Sequence, residues 1–151
     1  MKVQRDKNPA LFFSKAEKNA IINTIQEAEL QTSGEIRVHL ERRAREPFFE
    51  HAKEIFEKLG MTKTRERNGV LIFVGLASRR FALLGDKGIH EKVEAGFWDD
   101  VAVQMEEYFR QDQFAEGIIA AVAQIGVKLL EHFPYQRDDK NELPDAISFS
   151  V

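Results

Sequence analysis

The run Val70-Leu71-Ile72-Phe73-Val74, entered through Asn68-Gly69, constrains this chain more than any other segment. It has the length of a strand and no polar alternation, which predicts a strand covered on both faces and therefore central in its sheet. Ser78-Arg79-Arg80 can turn the chain back into Phe81-Ala82-Leu83-Leu84-Gly85, so a hairpin is expected, although its tip lacks an Asn-Gly or Asp-Gly pair.

A central strand covered on both faces needs helices on either side, and the sequence supplies them. Ser14 followed by Glu17 has capping-box spacing, and Ile21, Ile25 and Ala28 recur at helical intervals, predicting a helix from about Ser14 to Gln31. Ile36, Val38 and Leu40 then alternate with Arg37, His39 and Glu41, the period of a strand with one face buried more deeply than the other. Pro47 opens a second helix whose stripe of Phe48, Ala52, Ile55, Phe56 and Leu59 ends at Gly60. Two further helices follow: Trp98, Val101, Met105, Tyr108 and Phe109 form one stripe, and Phe114, Ile118, Val122, Ile125, Leu129 and Phe133 the next. The strand–helix–strand crossover makes the first two strands parallel, and the hairpin sets the third against the second. The expected fold class is α/β: a three-layer sandwich with a small mixed central β-sheet and helices on both faces. Its domain plan is an N-terminal extension over 1–13, a single domain over 14–134 and a polar, flexible tail over 135–151, within which Ile147-Ser148-Phe149-Ser150-Val151 can dock as a short strand.

Composition removes several functions. A formal charge of −3 over 151 residues gives no broad attraction to nucleic acid or anionic lipid, so neither partner is expected. The absence of cysteine closes thiol catalysis and thiolate zinc sites and fits a reducing cytoplasm. No apolar run approaches the roughly 20 residues of a membrane span. The expectation is a cytoplasmic monomer without membrane insertion.

Gly85-Asp86-Lys87-Gly88 raises the chemical question. Strand three runs against the other two, so Gly85-Asp86 should lie at the sheet edge where those strands begin, beside Ser33, Gly34, Glu35, Asn68 and Gly69. Helix C-termini arriving there present carbonyls and a partial negative charge, which favours a cation over a phosphate. Downstream come Glu91, Glu94, Asp99 and Asp100. Hard cations take many oxygen ligands, so the candidate site is a calcium- or magnesium-type centre of Asp86, Glu91, Glu94, Asp99 and Asp100, with calcium ahead of magnesium and no organic cofactor. The same tetrapeptide also reads as a plain turn, and Asp99 and Asp100 as dipole-stabilising residues at a helix start.

Three stretches carry a family resemblance: Thr32–Glu41, Arg67–Ile89 and Phe97–Leu129. Together they resemble the TPM domain family, the thylakoid-lumen acid phosphatase-like and photosystem II repair-like domains, over roughly Ser14 to Pro134. The resemblance implies an α/β sandwich, divalent-metal binding and, in some members, acid phosphatase activity. It strengthens Asp86 and its acidic neighbours as metal candidates. Many members carry a signal peptide and a membrane anchor or Gly-rich tail, which this chain does not show, so envelope or lumenal roles are not expected to carry over.

Two functions follow. A metal-dependent phosphatase would use the cation to polarise a phosphoryl group, with a carboxylate or His39 moving protons. His39, His51, His90 and His132 lack zinc-ligand spacing, and a strand-face histidine among charged neighbours reads as a partly exposed structural residue. The favoured expectation is a cation-binding interaction or regulatory module with a protein partner, since no sequence feature assembles nucleophile, base and oxyanion donor together.

Overall fold

A computed structural model describes residues 5–135 and 147–150. The elements are α1 (Pro9–Phe12), α2 (Lys15–Glu29), β1 (Glu35–Glu41), α3 (Phe48–Lys58), a 3₁₀ turn (Met61–Lys63), β2 (Gly69–Gly75), β3 (Arg80–Gly85), α4 (Lys87–His90), α5 (Phe97–Arg110), α6 (Phe114–His132) and β4 (Ile147–Ser150). The strand order is β3-β2-β1-β4, with β1 parallel to both β2 and β4 and β3 antiparallel to β2.

The sheet separates two cores. Ile36, Val38, Leu40, Val70, Ile72 and Val74 point to one side, where Ile21 and Ile25 of α2, Val101 and Met105 of α5, and Ile118, Val122 and Ile125 of α6 cover them. Leu71, Phe73, Ala82 and Leu84 point to the other, against Phe48, Ala52, Ile55 and Phe56 of α3 and Met61 after it. All seven residues of β2 are buried, as an apolar strand between two helical layers requires. Burying a side chain such as Ile72 contributes about 1.5–3 kcal/mol, so this strand anchors both cores.

The helix starts follow their sequence signals. Ser14 caps α2 in a complete capping box with Glu17, whose carboxylate is also gripped by both terminal nitrogens of Arg5 at 2.8 and 2.7 Å. Gly60 ends α3 in the left-handed conformation at φ 74°. The hairpin tip lacks an Asn-Gly pair because its left-handed residue is Arg79, at φ 55°.

Within the N-terminal extension, Phe13 is buried in the larger core, and Phe12 packs its ring edge-on to Phe13 and Phe114. In the C-terminal segment, Ile147–Ser150 docks as β4 against β1. The remainder of the expected flexible tail, residues 136–146 and 151, lies outside the described residues.

One expectation about β1 fails. His39 is not partly exposed: it is buried with Glu41, against His51 of α3 and Ser148 of β4, while Arg37 on the same face is half-buried.

Candidate functional site

The edge predicted to gather at the start of β1 and β2 does so. Asp86 is buried there, directly after β3, and its backbone N–H donates to the Gly69 carbonyl at 2.9 Å. Its side chain caps α4 by accepting from the Lys87 N–H at 2.9 Å. Both carboxylate oxygens also take a two-pronged grip from Arg67: Nε donates to Oδ2 at 2.5 Å and Nη2 to Oδ1 at 2.8 Å. The Asp86 carboxylate in turn raises the Arg67 guanidinium above its ordinary value.

The turn is also sterically determined. A Cβ at Gly88 would sit 2.1 Å from the Glu66 carbonyl oxygen and 2.5 Å from that of Arg67, so only glycine lets α4 pass this close to the segment before β2. Gly88 uses the approach, donating its N–H to the Arg67 carbonyl at 2.8 Å. Gly85-Asp86-Lys87-Gly88 is therefore a capped helix start locked to Arg67.

On the other flank of the same segment, Ser33 Oγ donates to Glu66 Oε2 at 2.5 Å and accepts from Asn68 Nδ2 at 3.0 Å. This chain of bonds fixes the Asn68 amide: Ser33 gives its one proton to the carboxylate, so the amide nitrogen must face the hydroxyl. Asn68 Oδ1 then points away. It is buried, in a residue 1% exposed, and finds no hydrogen-bond donor among the described residues. A buried acceptor without a donor is uncommon and is what a water molecule or a cation would satisfy.

The acidic residues expected to join Asp86 remain on the outside. Glu91, Glu94, Asp99 and Asp100 are all exposed. Glu94 pairs with Lys128 at 3.0 Å, and its carboxyl is held below the usual range first by its own backbone N–H and then by that lysine. Asp99 and Asp100 occupy the first turn of α5, where they face the positive end of the helix dipole. His90 is exposed and accepts from Trp98 Nε1 at 3.2 Å. Among the described residues, no three His, Asp or Glu side chains converge as a ready metal cage. The five-residue set thus does not converge as a cation site, whereas the Ser33–Glu66–Asn68 flank holds a buried amide oxygen that finds no donor among the described residues. Asn68-Gly69 marked this place in the sequence as a strand entry, but neither the Glu66 pairing nor the Arg67 clamp had a local signal.

Comparison with known proteins is decisive for the family. The TPM domain family model matches residues 7–128. The chain belongs to the TPM domain family. This TPM domain is similar to the BA42 protein of the psychrophilic bacterium Bizionia argentinensis, known by NMR, at 39% identity and a TM-score of 0.86, covering 92% of this chain and 96% of that one. The N-terminal domain of a protein from P. gingivalis, also known by NMR, shares the fold at 20% identity and a TM-score of 0.65, with 83% of each chain covered. No curated protein matches the chain. Among the described residues, no helix is long and apolar enough to cross a membrane.

Proposed function

We propose that this TPM domain is a binding module that takes a divalent cation at the edge where β1 and β2 begin, and that the ion orders this edge as a regulatory interaction surface for a protein partner. The observation that carries the reading is Asn68 Oδ1, buried in a residue whose Nδ2 binds Ser33 and without a donor among the described residues. Asn68 Oδ1 would be a ligand of the ion, and Glu66, linked to Asn68 through Ser33 Oγ, is the carboxylate of the same hydrogen-bonded network. Asp86 could join only by releasing Arg67, whose side chain is 38% exposed and free to swing outward. Calcium is favoured over magnesium because it accepts irregular sets of amide, carboxylate and carbonyl oxygens, whereas magnesium demands a near-ideal octahedron. A cysteine-free chain suits work in a reducing cytoplasm.

The test is a calcium titration, with magnesium in parallel, of metal-free protein followed by backbone NMR. Saturable shifts should centre on residues 33–35, 66–69 and 85–88 and vanish in Glu66→Gln. Shifts absent at millimolar ion, or unchanged in Glu66→Gln, would remove the proposal.

One observation supports metal-dependent phosphomonoester hydrolysis as a second reading: the Ser33 hydroxyl proton is already directed at a carboxylate, which is how a base prepares a nucleophile. Hydrolysis of p-nitrophenyl phosphate that needs the cation and is lost in Ser33→Ala would favour the enzyme over the module.

A further inference from the structure

The polar face of β1 ends in a cluster of three titratable side chains that the proposed cation edge does not use. His39 is 3% exposed, His51 7% and Glu41 9%. His39 Nε2 lies 2.9 Å from Glu41 Oε1, and His51 Nε2 lies 3.1 Å from Glu41 Oε2. The Arg45 backbone N–H donates to His51 Nδ1 at 2.6 Å, which leaves the proton of a neutral His51 on Nε2, facing Glu41. Phe73 floors the cluster, with its ring centroid 5.8 Å from each imidazole.

The remaining wall is β4. Ser148 Oγ lies 2.8 Å from His39 Nδ1, and Ser150 Oγ lies 3.3 Å from Nε2. β4 pairs with β1 from Val38↔Ile147 to Glu41↔Ser150. None of its four residues is fully buried, and Phe149 is 46% exposed. The wall with the least buried surface is therefore the one that touches the imidazole.

We propose that β4 is a proton-gated strap: it docks on β1 over a neutral His39 and lifts when His39 is protonated, uncovering the β1 edge. In the docked geometry Nε2 faces Glu41, and Nδ1 faces the Ser148 hydroxyl, which also has the Val38 carbonyl as an acceptor at 3.4 Å. A second proton on the ring places a charge in a closed site. Among the described residues, the groups facing the ring are Arg37 and Glu41 from β1, His51 from α3, Phe73 from β2, and Ser148 and Ser150 from β4. Glu41 is the one anion among these, and it is shared with His51. Burial holds His39 below its ordinary value; the Glu41 hydrogen bond opposes this, and the charges of Arg37 and His51 add to it.

The sign follows. The docked pKa lies below that of a hydrated histidine, about 6.5, so docking is favoured above that pH and lost as pH falls through the docked value. Between the two values the lifted population rises about tenfold per pH unit. Lifting bares the backbone N–H and C=O groups of residues 38–41, an edge able to accept another strand.

The experiment is an NMR titration of the full chain from neutral to acid pH, reading the His39 ring proton together with the amides of residues 38–41 and 147–150. The β4 amides should lose protection with the His39 midpoint while those of β2 hold. His39→Gln should keep β4 docked and erase the midpoint. Deleting residues 147–151 should move the His39 pKa upward toward 6.5, a measurement that stands whether or not His39→Gln folds. Protected β4 amides throughout the His39 titration, or an unmoved His39 pKa in the shortened chain, would overturn the strap.

Discussion

The two faces of β1 are both buried, yet they are held by different physics. Ile36, Val38 and Leu40 enter a core shared with three helices, where burial is non-directional and many neighbours contribute. On the other face His39 and Glu41 lie against His51 of α3 and Ser148 of β4, where each polar atom needs a particular partner at a particular distance. An alternating strand pattern thus reports which side chains are polar. It does not report which are wet.

That contrast can be tested in order of expected effect. Leu40→Ala should cost about 2–5 kcal/mol by urea denaturation, the range for a truncated aliphatic side chain in a packed core. Glu41→Ala should cost less, about 1–3 kcal/mol, because it orphans the two imidazole N–H groups without opening a large cavity. A cost near zero would mean that the polar face contributes shape rather than bonding. The double-mutant cycle of Glu41→Ala with His51→Ala should return a coupling of about 0.5–3 kcal/mol, as expected for side chains in one network. Full additivity would dissolve the network. The smallest effect belongs at the rim of the apolar face. Glu17 is held down to about 2, first by its bond to Arg5, so its contribution is complete above the ordinary 4.5 and is lost as pH falls toward 2. Arg5→Ala should flatten the stability–pH curve over that acid window and leave the curve near neutrality almost unchanged, as read by thermal melts at a series of pH values.

The fold was legible because its main signals are periodic. The β2 run, the hairpin reversal and the helical stripes of α2, α3, α5 and α6 each follow from neighbours in sequence, and together they give the observed order and strand directions. The short α1 was missed because four residues carry no period, and the packing of Phe12 depends on Phe114, on a helix far along the chain. The position of Asp86 at the start of β1 and β2 was readable from strand direction alone. Its partner was not: Arg67 reaches it across 19 residues and from a left-handed backbone, φ 54°, that no glycine announced. His39 was misjudged for the same reason. Its burial is supplied by His51 and Ser148, residues on separate elements.

The pairing of His39 with Ser148 spans 109 residues. During synthesis β1 emerges long before its outer neighbour exists, while β2, only a crossover away, can join it early. Every newborn copy therefore passes through a stage in which the β1 edge is open. Closure of that edge is among the last long-range events of folding, and crowded nascent chains have that interval in which to pair with one another instead.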